Sequence, residues 1–246
     1  VVTTLNTESR FIVNKSIFSN NSSSDSNKVV DITTTSAATS GTYSLTVHNL
    51  ATESKIISSG FASTATALEY GSVKVTSGSA SATITINDTN DSLDGLRLAI
   101  NNLGLEVKAT FLNDGKATNP VRLLISGNTT GSSGAVTMSY TRPIHLQSVP
   151  LAGMYDWYPG KFISFTTTQT ARNANFVIDG VSIIKSSNTV TDVLNGAALQ
   201  LQSAGSGTIA LSTDTDAITT KVSDFVDEYN EISLFLNEQL ALDPET

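Results

Sequence analysis

Apolar positions recur at period two through most of the chain, and at the helical period in two places. Tyr43, Leu45 and Val47 alternate with Ser44 and Thr46, the mark of a half-buried strand. Val29–Thr33 precedes it as another candidate. Ser72–Thr76 and Ala82–Ile86 read as two strands separated by Ser77-Gly78-Ser79, and 106–112, 121–126 and 135–140 as three more. Between these groups Leu93, Leu96, Ile100 and Leu103 are spaced 3, 4 and 3, one stripe of a short helix, with Ser92 as its cap candidate and Gly104 at its close. Asp179-Gly180 separates two alternating runs, 175–178 and 181–183, and predicts a tight hairpin. Leu199–Leu201 and Thr208–Leu211 form a further strand pair. Two stretches are less defined. Leu50–Phe61 fits a helix or an edge strand, and Val190–Leu194 fits one helical turn. Residues 1–18 show no clean period, and 19–27 is an unbroken Ser, Asn and Asp run that reads as a linker.

The final segment changes period. Ile218, Val222, Phe225, Tyr229, Ile232 and Leu236 are spaced 4, 3, 4, 3 and 4, a heptad seam over nearly three repeats, and Asp214 or Asp216 marks its start. The seam fits an amphipathic helix packed on its own domain or one that a partner covers; against the first, a helix about 37 Å long outreaches a small sheet. Strand-strand-helix-strand-strand-strand between the two flanking β segments predicts an α+β, mainly β fold. The layout is nested: 1–27 leg or linker, 28–68 the first part of one β-rich domain, 69–165 an inserted α+β domain, 166–213 the second part, and 214–246 a leg helix.

Composition narrows the function. The chain has 246 residues, of which 34 are Thr and 33 Ser, so its surface is made polar by hydroxyls more than by charge. A net charge of −8 argues against a nucleic-acid backbone or an anionic membrane as partner. No apolar run reaches the ~18 residues of a membrane span. Without Cys there is no disulfide, thiolate metal site or thiol catalysis. The opening Val1-Val2-Thr3, with no initiator Met and no signal-peptide pattern, reads as the start of a central fragment lacking both termini.

Candidate chemistry is sparse. His48 and His145 are the two histidines, and neither has a second His at metal-ligand spacing. No nucleophile elbow, phosphate loop or dinucleotide fingerprint occurs. Asp88, Asn90 and Ser92 imitate the start of a calcium loop, but Leu93 stands where its turn needs Gly and Ala99 where the bidentate Glu belongs. No enzyme activity, cofactor or metal is expected. Tyr155, Trp157 and Tyr158 lie in a Pro-rich stretch, 141–165, that contains the one Trp; such rings stack on sugars or partner side chains, or pin a loop to its sheet.

Four motifs in order resemble one family. They are Gly41–Val47 with Leu50-Ala51; Ser92-Leu93 with Leu96 and Ala99-Ile100-Asn101; Ala171–Val181 followed by Ser186–Val190, Asp192 and Gly196; and Phe225-Val226-Asp227-Glu228-Tyr229-Asn230. Together they resemble the flagellar filament-capping proteins, or hook-associated protein 2. The 141–165 stretch has no counterpart among these motifs. The resemblance implies two antiparallel β-rich plate domains, one inserted in the other, with the two chain ends pairing as a helical leg. It implies a homo-oligomeric ring at the distal end of the filament, outside the cell, exported by the flagellar secretion apparatus. There it would promote flagellin folding and polymerisation and prevent flagellin loss. The alternative is an adhesin-like module that binds host surface glycan or mucin through Trp157 and its neighbours.

Overall fold

The computed structural model describes residues 12–20, 28–142 and 160–240. Its strands pair antiparallel, in four sheets. The chain divides into two compact units: Val1–His48, Phe176–Ser182 and Thr189–Thr246 form one, and Asn49–Asn175 with Ile183–Asn188 the other.

A five-stranded sheet, whose strands β1, β15 and most of β3 and β11 belong to the first unit, has the order β1 (Asn14–Asn20), β15 (Gly205–Thr213), β3 (Gly41–Asn49), β11 (Ala174–Ile178) and β12 (Val181–Lys185). A three-stranded sheet has β13 (Thr189–Leu194), β14 (Ala197–Leu201) and β2 (Val30–Thr34) in that order. Alternation puts one row of β3, β11, β14 and β15 inside: Leu45 and Val47, Phe176 and Ile178, Ala197, Leu199 and Leu201, Ile209 and Leu211 are all buried. The expected hairpin at Asp179-Gly180 forms with φ of 47° and 82°, both in the left-handed region that a type I′ turn requires. The Asp179 carboxylate accepts hydrogen bonds from the Ser44 amide at 2.7 Å and the Ser44 hydroxyl at 3.0 Å, anchoring the turn to β3.

The second unit contains the sheets β10 (Phe165–Gln169), β4 (Lys55–Ser58), β8 (Val121–Gly127), β7 (Val107–Asn113) and β6 (Ala80–Ile86), β5 (Gly71–Ser77), β9 (Val136–Thr141), each in that order. Helix α1 (Leu93–Asn101) adds Leu93, Leu96 and Ile100 to a core with Ile56, Phe61, Leu68, Val73, Val75, Leu123 and Ile125. Ser92 caps α1, its hydroxyl accepting from the Gly95 amide at 3.0 Å. Asn101 reaches the sheet edge, where its side-chain amide exchanges two bonds with the Ala109 backbone, at 2.8 and 3.0 Å, as a neighbouring strand would. That closes one rung of an otherwise open edge.

Three expectations are corrected. Residues 14–20, placed in a leg or linker, are β1, paired with β15 from Asn14↔Thr213 to Asn20↔Gly207. Val190–Leu194 is strand, not helical turn: both residues are buried, and a spacing of four puts two residues on one face of either structure. The units meet in sequence near residues 48 and 175, not 68 and 165, because β4 pairs with β8 and with β10 inside the second unit.

Phe176 is wholly buried in the first unit. Phe176→Ala is expected to cost about 3–5 kcal/mol, read as a lower urea midpoint at unchanged slope.

Candidate assembly surface

Among the described residues, no three His, Cys, Asp or Glu side chains converge as metal ligands. The residues that imitate a calcium loop are occupied locally: Asn90 accepts from the Asn87 amide and donates to the Thr85 carbonyl, and Ser92 caps α1. His48 is exposed at the end of β3, and His145 lies outside the described residues.

The feature with reach is helix α2 (Thr215–Leu240). Asp214 caps it, its carboxylate accepting from the Ala217 amide at 3.2 Å. The Asp214 amide donates to the Val13 carbonyl at 2.7 Å, and the Lys15 ammonium lies 3.7 Å from Asp214 and 3.9 Å from Asp216. The β1–β15 pair therefore ends at the first turn of α2. All six seam residues sit on one face of the helix. Ile218 and Phe225 are half-buried, while Val222, Tyr229, Ile232 and Leu236 are 43%, 63%, 56% and 48% exposed. Three exposed apolar residues fall outside the heptad reading: Val226, Leu234 and Phe235.

Tyr155, Trp157 and Tyr158 lie outside the described residues. The chain entering and leaving that stretch is ordered by an aromatic–cation stack. The rings of Tyr140 and Phe162 meet edge to face at 5.3 Å, and the Arg142 guanidinium sits 5.2 Å over Phe162 and 3.0 Å from Glu69. The Tyr140 hydroxyl donates to the Tyr70 carbonyl at 2.8 Å. Burial, aided by the Glu69 charge, pushes its pKa up to about 12.

The Asn-rich motifs prove to be ties within the second unit. Asn188 exchanges two bonds with the Ala51 backbone, accepting its amide at 2.7 Å and donating to its carbonyl at 3.0 Å. Asn173 accepts from the Ser132 amide at 2.8 Å, and its carbonyl accepts from the Asn49 side chain. Thr52 and Arg172 exchange backbone bonds, and Thr130 donates to the Ser186 carbonyl at 2.6 Å. Gly131, at φ 91°, packs where a Cβ would come within 2.6 Å of the Ser186 side chain. These residues bind four chain segments, near 50, 131, 172 and 187, into one polar cluster. Their role is to hold backbone, and nothing in the cluster is arranged to react.

The comparisons with known proteins agree with that character. A family model described as the flagellar hook-associated protein 2 C-terminus matches residues 171–245. The B-type flagellar hook-associated protein 2 of Pseudomonas aeruginosa is 27% identical over 89% of this chain and 48% of its own. The flagellar hook-associated protein 2 of Escherichia coli K12 is 30% identical over 94% of this chain and 50% of its own. The crystal structure of the D1-D2-D3 domains of the flagellar cap protein FliD from Escherichia coli superposes at a TM-score of 0.73, with 27% identity, covering 98% of this chain and 66% of that one. The fold is shared with flagellar cap protein structures. The chain belongs to the flagellar hook-associated protein 2 family. It spans about half the length of these two curated relatives.

Two outcomes are expected. Asn188→Asp keeps the acceptor and sets a negative charge where an amide donated to the Ala51 carbonyl, and should cost about 1–3 kcal/mol, read by urea unfolding. The raised pKa of Tyr140 favours its neutral form in the folded state. Its contribution is therefore complete below pH ~10, the ordinary phenol value, and is lost as pH rises through about 12. The stability difference between the native chain and Tyr140→Phe should shrink across that window in unfolding curves taken at successive pH values.

Proposed function

We propose that this chain forms the β-rich body and part of the leg of a flagellar filament cap. In this reading the cap is a homo-oligomeric ring at the distal, extracellular end of the filament, reached through the flagellar secretion apparatus. The ring shelters arriving flagellin, promotes its folding and polymerisation, and prevents its loss. The observation that carries the proposal is the apolar seam of α2, exposed at Val222, Tyr229, Ile232 and Leu236 and capped next to β1. A helix about 39 Å long with such a seam gains stability only when another chain segment or subunit covers it. Family membership supports the same reading, as does a sequence without Cys, which can be threaded unfolded through an export channel without forming disulfides.

In this proposal Ile218, Val222, Phe225, Tyr229, Ile232 and Leu236 make the leg packing. Phe225→Ala with Tyr229→Ala, placed in the protein as the bacterium expresses it, is expected to shorten filaments and raise unpolymerised flagellin in the medium severalfold. Electron microscopy and immunoblotting of culture supernatant measure both. Filaments of native length with unchanged supernatant flagellin would contradict the proposal.

A further inference from the structure

Asp or Asn stands before Gly at four places: Asp94-Gly95, Asp114-Gly115, Asp179-Gly180 and Asn195-Gly196. At such a pair the Gly amide nitrogen, unshielded by a Cβ, can attack the side-chain carbonyl carbon before it. The reaction is fastest with an uncharged electrophile and a free nitrogen, and the three Asp pairs are set against it. Asp94 is ion-paired with Arg97 at 2.8 Å, and the Gly95 amide donates to the Ser92 hydroxyl at 3.0 Å. The hydrogen bond from Arg122, at 2.6 Å, holds the Asp114 carboxyl below its ordinary value, and the Gly115 amide donates to the Asn113 side chain at 2.9 Å. The Asp179 carboxylate is bound by the Ser44 amide and hydroxyl, at 2.7 and 3.0 Å. Asn195 is different. It is an uncharged electrophile, its side chain is exposed, and its Nδ2 donates to the Ala37 carbonyl across 3.3 Å, the longest of these contacts.

The fold itself puts the labile pair here. Asn195 and Gly196 make the two-residue turn between β13 and β14, where Leu194 faces Ala197. Gly196 has a φ of 68°, and a Cβ on it would overlap the backbone of Ala37 and Ala38. Any larger residue would strain the turn, so Asn195 is bound to have Gly after it. The Gly196 carbonyl accepts from the Thr35 amide at 2.8 Å and the Thr35 hydroxyl at 3.2 Å. Asn14 donates to the carbonyls of Thr35 and Ala38, at 2.9 and 3.2 Å. The corner 35–38 is thus fastened between the 195–196 turn and the start of β1, where Asn14 pairs with Thr213 beside the Asp214 cap of α2.

We infer that Asn195 is a site of spontaneous backbone modification, converting to isoaspartate in the folded chain. The Gly196 nitrogen, giving up its proton to water, bonds to Cγ of Asn195; the Cγ–Nδ2 bond breaks and ammonia leaves, closing a five-membered succinimide. Water then opens the ring. Cleavage at Cγ gives aspartate, and cleavage at the main-chain carbonyl gives isoaspartate, whose backbone runs through the side chain. Either product loses the amide donor to Ala37 and gains a negative charge. Isoaspartate also lengthens the main chain by one atom where Gly196 packs against Ala38, so the corner 35–38 loosens. This chemistry belongs to the chain alone and holds whatever the chain assembles into.

Ageing the 246-residue chain in mildly alkaline buffer, with peptide mass mapping and labelling by an isoaspartate-specific methyltransferase, tests it. Residue 195 should gain one mass unit before any other Asn does, mainly as isoaspartate. Its rate should lie within roughly tenfold of that in the urea-unfolded chain, because an exposed turn needs little opening. The Thr35 amide hydrogen should exchange severalfold faster in the aged chain than in the fresh one. Asn195→Gln keeps an amide but would have to close a six-membered ring, and should show neither change. Earlier modification of another Asn overturns the inference, as does an Asn195 that converts only in urea. So does a Thr35 amide whose exchange is the same before and after conversion.

Discussion

The organisation of this protein turns on one mismatch: its long helix exposes more apolar surface than its own described fold covers. Val222, Tyr229, Ile232 and Leu236 lie open on one face of α2. Burying side chains of this size stabilises by about 1.5–3 kcal/mol each, and an isolated helix gains little without that contact. The β units are the reverse case. Their interiors are closed by alternation, with Phe61, Leu68, Leu123 and Phe176 wholly inside. In the proposed reading, self-sufficient sheets are joined to a helix that association completes.

What holds the sheets is ordinary packing plus an unusual use of amides. Asn101 and Asn188 each present both ends of a side-chain amide to one backbone residue, Ala109 and Ala51. Each substitutes for a strand where a strand is lacking. In a chain with few charges, these ties and the hydroxyl bonds of Thr52, Thr130 and Ser54 do the fastening that ion pairs do elsewhere. The family motifs around 171–190 are thus intelligible as backbone fixtures, consistent with a protein that works by shape.

Much of this was legible in the sequence. Period-two alternation marked β3 and β5–β9, turn chemistry marked the Asp179-Gly180 hairpin, and heptad spacing marked the seam of α2. The misses have physical causes. β1 is the stretch Asn14–Asn20 with two adjacent apolar residues, Ile17 and Phe18, and its hydrogen bonds come from β15 nearly the whole chain away, so no local signal announces it. The division between the units was misplaced because both are built from the same Thr- and Ser-rich strands, and only the pairing of β4 with β8 and β10 reveals where β4 belongs. Leu234 and Phe235 sit between heptad positions and are silent to a search for one seam.

Amide hydrogen exchange along α2 tests the central claim most directly, comparing the dispersed chain with the same chain held in an assembled cap at the filament end. The account predicts rapid exchange through residues 222–239 in the dispersed chain and strong protection of the same amides on assembly, while β3, β8 and β14 stay protected in both. Protection of α2 that is already complete in the dispersed chain, and unchanged on assembly, would contradict it.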